Sequence, residues 1–556
     1  MNLKKSLTIA AAAGALAAIS VPAMAFEHTL NGSYVVKSFI SNYETGGGGP
    51  IFANSNISNG ATFYNGVGAA IGNGVTVPTA VTPGGAAYNI GSGGTRNTEN
   101  LRTNSYVEQR ARLFYVAKAS DDLKLNIAFE IDSTWGDRAQ SQANAARNFG
   151  GAMESDAVNL ETKWVNLMFK IPSTPTTVVL GIQPVKDQLK GIFLDADLAG
   201  IMTTTKIGSK FTQNLGYFRA YDQSFFSAGT AAASPAYQRG NVNLDIFASE
   251  SIYQINKDSK AGFVYYLYND GRSNSINSAF DPYGAFNARK NGAVMVHALG
   301  LFGETKVSKV TLSGFLAYQA GIIKDAFSAG RTTYQNAWAY NLAAKAPVGM
   351  GTLKGALLYT SGTNLDYSAD GRGHHTGWIG VNQSQNNTWS TNAGANTYNE
   401  SGMMLLNRNA LSQGTTTDVS VVYNSGNGTS PLNPQGVYLL TMGYDANITP
   451  KVFVNGNVGF AWAEHVNGLR PYDFTQSAGG ASSAGPNGAS FQGTEINLEA
   501  GYKMYDNLTA KIQAAYVILG GYYNNSVRIA DTSAKGYHGT DPEDPYTVRM
   551  QVSYNF

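Results

Sequence analysis

The residues best placed to do chemistry in this chain are charges spaced by two. Glu108, Arg110 and Arg112 occupy every second position of one stretch, and Lys124, Glu130 and Asp132 fall on every second position of the next. That spacing puts each set on one face of an extended strand. Charges of both signs on one face can pair across strands, order water and act on a polar solute. They do not by themselves make a nucleophile or a proton relay. Of the six histidines, His28, His297, His374, His375, His465 and His538, only His297 sits on a strand where a triad could be assembled, and neither H-E-x-x-H nor G-x-S-x-G occurs. The chain therefore reads as a non-enzyme. Metal chemistry is as thin: His374-His375 lacks neighbouring carboxylates, and neither Asp195-Ala196-Asp197 nor the acidic run Asp541 to Asp544 has the Gly-centred spacing of a calcium loop. With Cys 0, disulfides, thiolate sites and covalent c-type haem are excluded, so no cofactor is expected.

The charges sit on strands. Tyr106 to Ala119 carries Val107, Ala111, Leu113 and Tyr115 opposite its charges; after a tight Ser120-Asp121 turn, Leu123, Leu125, Ile127, Phe129 and Ile131 do the same. A charge on a lipid-facing strand costs ~2–4 kcal/mol at mid-bilayer, so if these strands cross a membrane the charged faces must line a wet lumen. One polar face per strand would then become a pore wall. The same alternation assigns Lys170, Arg219, Lys354, Glu495, Glu499, Lys503, Lys511 and Arg549 to that wall. Their mixed signs fit a hydrated passage without strong ion choice and also fit cross-strand pairing of unlike charges.

Composition agrees with an all-β membrane protein. Hydrophobic residues are 43% but dispersed, and charged residues are 14%, against the usual ~25%. The chain holds 63 Gly and 32 Tyr, which suits glycine-rich loops and interfacial aromatic girdles. A formal charge of +2 without a basic cluster argues against a nucleic-acid partner. Lys4 and Lys5, the apolar run Leu7 to Val21 and the A-x-A site ending at Ala25 read as a cleaved signal peptide over 1–25, leaving one domain over 26–556. No later run approaches the ~18 apolar residues of a spanning helix.

Along the mature chain, short turns alternate with long polar connections. Short turns fall at Pro172 to Pro175, Lys257 to Lys260 and Tyr505 to Asn507, long connections at Tyr221 to Gly240, Thr360 to Asp418 and Tyr522 to Asp544. Eighteen strands result, sixteen if the weak pair near 200–221 fails, twenty if Met403 to Leu406 and Val419 to Val422 add a hairpin. The segment 41–100 is too polar and glycine-rich to build a core and reads as a long loop or an inward plug.

The last stretch, Pro545 to Phe556, separates most cleanly into two faces. Tyr546, Val548, Met550, Val552, Tyr554 and Phe556 form one, Thr547, Arg549, Gln551, Ser553 and Asn555 the other. This ending resembles that of Gram-negative outer-membrane β-barrels, in which a terminal Phe serves as the assembly signal; the resemblance gives Phe556 and Tyr554 that role. It implies a transmembrane antiparallel β-barrel of about eighteen strands with short periplasmic turns and long extracellular loops, embedded in outer-membrane lipid and inserted by the barrel-assembly machinery. The function implied is a porin passing small hydrophilic solutes and ions, with a homo-oligomer compatible. Lys186 to Gly200, the third long-side loop, resembles by position the inward loop of porins, so Asp195 and Asp197 are expected opposite Arg110 and Arg112 at a constriction. Gly493 to Ala510 looks more loosely like porins of metal-reducing bacteria and alginate-export-type barrels. The alternatives are a solute-specific or export channel, or a plugged barrel acting as a surface scaffold for partners such as cytochromes.

Overall fold

The computed structural model describes residues 27–42, 104–136, 149–150, 160–222, 243–271, 294–324, 332–362, 373–382, 398, 400, 402–407, 436–465, 489–524, 527–531, 536–540 and 544–556. The expected leader over 1–25, most of 41–100, and Val419 to Val422 lie outside them.

Eighteen antiparallel strands close into one barrel. In chain order they are β1 (Glu27–Ser41), β2 (Asn104–Ser120), β3 (Leu123–Trp135), β4 (Glu161–Lys170), β5 (Thr176–Lys186), β6 (Leu194–Ile207), β7 (Phe211–Asp222), β8 (Asn243–Asn256) and β9 (Ser259–Asp270). They continue as β10 (Val294–Val307), β11 (Val310–Lys324), β12 (Thr332–Val348), β13 (Gly351–Thr360), β14 (Val437–Asn447), β15 (Val452–Trp462), β16 (Phe491–Tyr505), β17 (Leu508–Leu519) and β18 (Tyr546–Asn555). Each pairs with the next, and β18 pairs with β1 from Ser33↔Asn555 to Ser41↔Thr547, so the sheet has no edge. At the seam, Gly32 and Phe556 exchange backbone hydrogen bonds of 2.8 and 3.0 Å. The Phe556 ring lies directly on Gly32, where any Cβ would collide with it. At the other end Asn42 donates to the Asp544 carbonyl at 2.9 Å and accepts from the Tyr546 N–H at 2.7 Å.

The outer surface is the apolar half of the two-residue alternation. Leu301, Leu342, Met442, Ile496, Ile512 and Met550 point outward with 52–64% of their surface exposed. Aromatic pairs on this face, Tyr318–Trp338 at 4.6 Å and the Tyr340–Tyr359–Tyr438 run at 4.8 Å steps, gather toward the end of the long connections. An apolar face over most of a closed barrel is stable only against lipid, so the chain forms a transmembrane barrel. The faces of β18 are as the sequence implies: Thr547 and Arg549 are buried inward, while Val548, Met550, Val552, Tyr554 and Phe556 lie outward. Met403 to Leu406 add no strand to the wall; they run inside it.

The wall departs from regularity at the β5–β6 hairpin. β5 and β6 pair with each other up to Lys186↔Asp195, but β4 leaves β5 at Ile182 and β7 joins β6 only from Ala199. Residues 183–198 have therefore left the wall as a two-stranded tongue. Asp195 and Asp197, expected in a loop spanning 186–200, lie on strand β6, because the pairing with β5 continues into that segment and leaves only 187–193 as the turn.

Candidate functional site

The inner wall from β16 through β18 and β1 to β4 is charged, and its charges meet in register. On β16 and β17, Glu499 accepts from Lys511 at 2.9 Å and Gln513 at 2.6 Å. Gln513 lies opposite Arg549 on β18, whose guanidinium sits 5.3 Å from the centre of the Phe39 ring on β1. Lys37 on β1 lies opposite Glu108 on β2. Arg110 forms a two-pronged pair with Asp132 and lies 3.6 Å from Glu130, which also binds Arg112. Glu108, Arg549, Glu130, Asp132 and Lys37 are each at most 6% exposed. Buried ions of this kind persist only when paired and hydrogen-bonded, and opposite charges on adjacent strands supply that pairing for Glu499, Arg110, Arg112, Glu130 and Asp132, while Arg549 stands between Gln513 and the Phe39 ring.

Lys163 continues the row onto β4. Ala128 pairs with Trp164 and Phe129 with Thr162, so Lys163 is the extra residue of a β-bulge. Strict alternation would send it outward with Val165 and Leu167; instead its ammonium lies 4.0 Å from Glu130 and 3.0 Å from Asp197. Asp195 pairs with Lys186 at 2.9 Å. The tongue thus turns one acidic face to the charged wall.

Its other face is apolar. Leu189, Ile192, Phe193 and Leu194 are fully buried. Phe193 stacks 5.1 Å from Tyr266 on β9, and Leu189 packs on Gly300 of β10, where a Cβ would displace it. The turn is tied by Asp187, whose carboxylate accepts from the backbone N–H groups of Gly191, Phe193 and Leu194 at 2.6–2.7 Å. Burial pushes its carboxyl up to about 7 against the pull of those N–H donors, with the nearby Glu250 carboxylate adding to the rise. Lys190 adopts φ 62 and Gly191 φ 84, left-handed geometry that aims Lys190 at Ser313 of β11, 2.9 Å away, and at Glu400. Burial holds the Lys190 ammonium below its ordinary range, opposed by Glu400.

Glu400 belongs to a second inward segment, from the connection between β13 and β14. Tyr398 bonds Asn341 on β12, and burial raises its phenol well above the ordinary value. The Gly402 carbonyl accepts from Asn497, and the N–H groups of Met404, Leu405 and Leu406 donate to Glu495 on β16 at 2.7, 2.9 and 2.6 Å. Trp378, from the same connection, donates its indole N–H to the Ile192 carbonyl at 3.0 Å. The two segments, joined by Lys190–Glu400, form an inner layer over strands β8 to β16.

The expected wall residues divide accordingly. Glu108, Arg110, Arg112, Lys124, Glu130, Asp132, Lys354, Glu495, Glu499, Lys503, Lys511 and Arg549 share the inward parity of their strands. Lys354 pairs with Asp445 at 2.7 Å, and Lys170 sits at the short-turn end, 4.0 Å from Asp122. Arg219 is the exception. Phe218 is the fully buried inward residue, so Arg219 points outward, 40% exposed, paired with Asp245 at 3.0 Å and bonded to Tyr217. Arg110 and Arg112 hold Glu130 and Asp132; their link to Asp197 passes through Lys163. Nor does every strand present a polar inner face: β8 to β10 turn Leu244, Ile246, Val264, Val294 and Val296 inward, all buried. Apolar residues on both faces are the signal, present in the sequence, that something must cover these strands from inside. His297 faces outward and bonds the Tyr265 hydroxyl at 2.9 Å, and His375 bonds Gln335 at 2.6 Å, which accounts for both rings.

Fold and site together define a transmembrane β-barrel with a charged inner wall and an inner layer of its own loops. No family model matches the chain, and no curated protein matches it. Among solved structures it is similar to a BenF-like porin from Pseudomonas fluorescens Pf-5, at 12% identity and a TM-score of 0.46 over 95% of this chain and 98% of that one. It is also similar to Pseudomonas aeruginosa OccK2 (OpdF), solved in complex with glucuronate, at 11% identity and a TM-score of 0.46 over 95% and 98%. For OccK5 (OpdH) of the same organism the values are 9% and 0.43 over 95% and 98%.

Proposed function

We propose that this protein is an outer-membrane porin through which small hydrophilic solutes and ions diffuse between the charged wall and the inner layer. The observation that carries the reading is the concentration of ionised side chains on the inside of a closed barrel whose outside is mostly apolar, with the Arg219–Asp245 pair as an outward exception. A barrel needs no such interior to be stable, since an apolar filling is cheaper than paired buried ions. A charged wall is useful where water and solutes must pass. Short turns then face the periplasm and long connections the exterior.

The narrowest passage in this reading runs beside the tongue, with Asp195 on one side and Arg110 and Arg112 on the other, bounded at one edge by the Lys163–Asp197 contact. Opposed charges there create a transverse field that orients polar solutes, while the balance of signs keeps ion preference weak. Single-channel recording in planar bilayers tests the reading. Purified protein is expected to give discrete conductance steps, and Asp195→Asn with Asp197→Asn is expected to move the reversal potential toward anions. Absence of steps in both the full chain and a variant lacking 41–100 overturns the channel; steps with an unmoved reversal potential overturn only the constriction.

A further inference from the structure

The outward face is not apolar everywhere. On β5 to β8, successive rows read Thr203, Leu215, Ser249, then Thr176, Thr205, Gln213, Ser251, each residue opposite the next in register. One row nearer the short turns, Ile207, Phe211 and Tyr253 restore the apolar, aromatic pattern, so the polar rows lie inside the belt. Two rows toward the long connections, Arg219 and Asp245 face outward as an ion pair. On the opposite side of the barrel, β16 to β18 place Ile496, Leu498, Ile512, Ile518, Val548 and Met550 at such positions, exposed and without a polar atom in the side chain.

We propose that this polar stripe on β7 and β8, flanked by β6, is the contact surface for a second copy of this chain, related by a two-fold axis along the membrane normal. In lipid, hydroxyl and amide side chains on an outward face gain nothing from burial and lose water, whereas between two protein surfaces they can bond across. Here they are bonded sideways: Ser251 donates to Gln213 at 2.7 Å, Gln213 donates to Ser249 at 3.1 Å, and Thr176 shares a 2.9 Å bond with Thr205. Gln213, Ser249 and Ser251 nevertheless keep intermediate exposure. Such groups hold acceptor capacity beyond these bonds.

The occupant follows from the charges and from membrane geometry. Copies inserted the same way up can meet only at equal heights. Arg219 and Asp245 are register partners on adjacent strands, as are Gln213 and Ser251; with strands ~4.8 Å apart and tilted by ~40°, the two members of each pair differ in height by only ~3 Å, within the reach of their side chains. A two-fold axis between β7 and β8 sets β7 of one copy against β8 of the other, placing Arg219 beside the other copy's Asp245 and Gln213 beside its Ser251. The stripe is thereby its own complement, as an isologous interface requires. This inference rests on the outer face lying in lipid, and not on what passes through the lumen.

With Cys 0 in the chain, cross-linking gives a clean test. Gln213→Cys and Ser251→Cys proteins, co-expressed in outer membranes and oxidised, are expected to form a mixed disulfide dimer, whereas Ile512→Cys with Val548→Cys is expected to form none. Native mass spectrometry of wild-type protein released in mild detergent should show a dimer. Gln213→Leu with Ser249→Ala and Ser251→Ala should remain folded by heat-modifiable gel migration while the dimer dissociates at least tenfold more readily. A monomeric or trimeric wild type, equal cross-linking at the control pair, or cross-links only to a different protein overturns the proposal.

Discussion

Strands β16 to β4 and strands β8 to β10 differ most in what they turn inward. The first set presents Glu499, Lys511, Arg549, Lys37, Glu108, Arg110 and Glu130, and the second Leu244, Ile246, Val264, Tyr266, Val294 and Val296. The charged side can form a wall by itself because most of its ions meet an opposite charge one strand away: Glu499 meets Lys511, Lys37 stands opposite Glu108, and Arg110 and Arg112 hold Asp132 and Glu130. The apolar side cannot face water, and it draws the tongue and the 398–406 segment onto itself. A barrel lumen is thus divided by side-chain chemistry: where the inner residues are apolar the chain folds back to cover them, and what remains is lined by ions.

The comparison breaks most visibly if one ion is removed from the charged side. Arg110→Ala leaves Asp132 without its cation, and Glu130 with Arg112 but without its second one, in a site almost without exposure, and breaking a buried pair costs ~3–5 kcal/mol. Urea unfolding in micelles, followed by tryptophan fluorescence, should show that loss. Removing Arg110 with Asp132, as Arg110→Met and Asp132→Leu, should recover most of it, since Arg112 still holds Glu130. Failure of the double variant to recover would mean that the ions hold the wall by something other than mutual pairing.

Next in size is the latch within the inner layer that covers the apolar side. Lys190 reaches both Ser313 and Glu400, and the bond from Trp378 to Ile192 runs beside it. Lys190→Met retains the packing of the side-chain stem but removes the cation. It leaves Glu400 unpaired at a cost of ~1–3 kcal/mol, enough to populate a released inner layer. Single-channel conductance is then expected to rise about twofold with larger open-state noise, a magnitude set by freeing one side of the lumen. An unchanged conductance would show that the apolar contacts at Leu189 and Phe193 hold the layer without the latch.

A smaller effect of the same kind comes from pH. The seated Asp187 carboxyl is raised to about 7, whereas in a released, hydrated tongue it returns to ~4. The seated form therefore holds the extra proton between those values. Seating is favoured below pH ~4 and is weakened as pH rises toward 7, then levels off. The groups facing this carboxyl are Glu250 on β8, Tyr266 on β9 and the N–H donors of the turn, none of which brings a compensating cation. Conductance should accordingly increase between pH 4 and 7, and Asp187→Asn should flatten the profile; a profile unchanged by Asp187→Asn would assign the titration elsewhere.

The barrel itself was legible because a period of two is a local property: eighteen strands and both faces of β18 follow from alternate residues and turn length. Arg219 departs from its expected inward place because the rule that charges belong inside ignores a partner on the next strand, and Asp245 supplies one outside. Lys163 is not legible in the sequence because a bulge depends on the count of residues in two paired strands, which one strand's pattern does not reveal. The tongue was visible only as a loop of the right rank. What draws it inward is the apolar inner face of β8 to β10, some fifty to a hundred residues further on, and the latch joins Lys190 to Glu400 across more than two hundred.

The least perturbing test concerns the short-turn mouth, where the charged side ends. Lys124 on β3 and Lys503 on β16 share the inward parity, and Lys503 is exposed. A hydrated charge at a wide mouth is screened within ~8–10 Å at physiological salt, so it biases which ions enter without adding to stability. Lys124→Gln with Lys503→Gln should therefore leave unfolding unchanged and move the reversal potential by only a few millivolts toward cations, more at low salt than at high. A shift as large as that of the Asp195 and Asp197 pair would place the selective step at the mouth. The tongue would then be a support for the apolar side alone, and the division of the lumen would have no part in choosing ions.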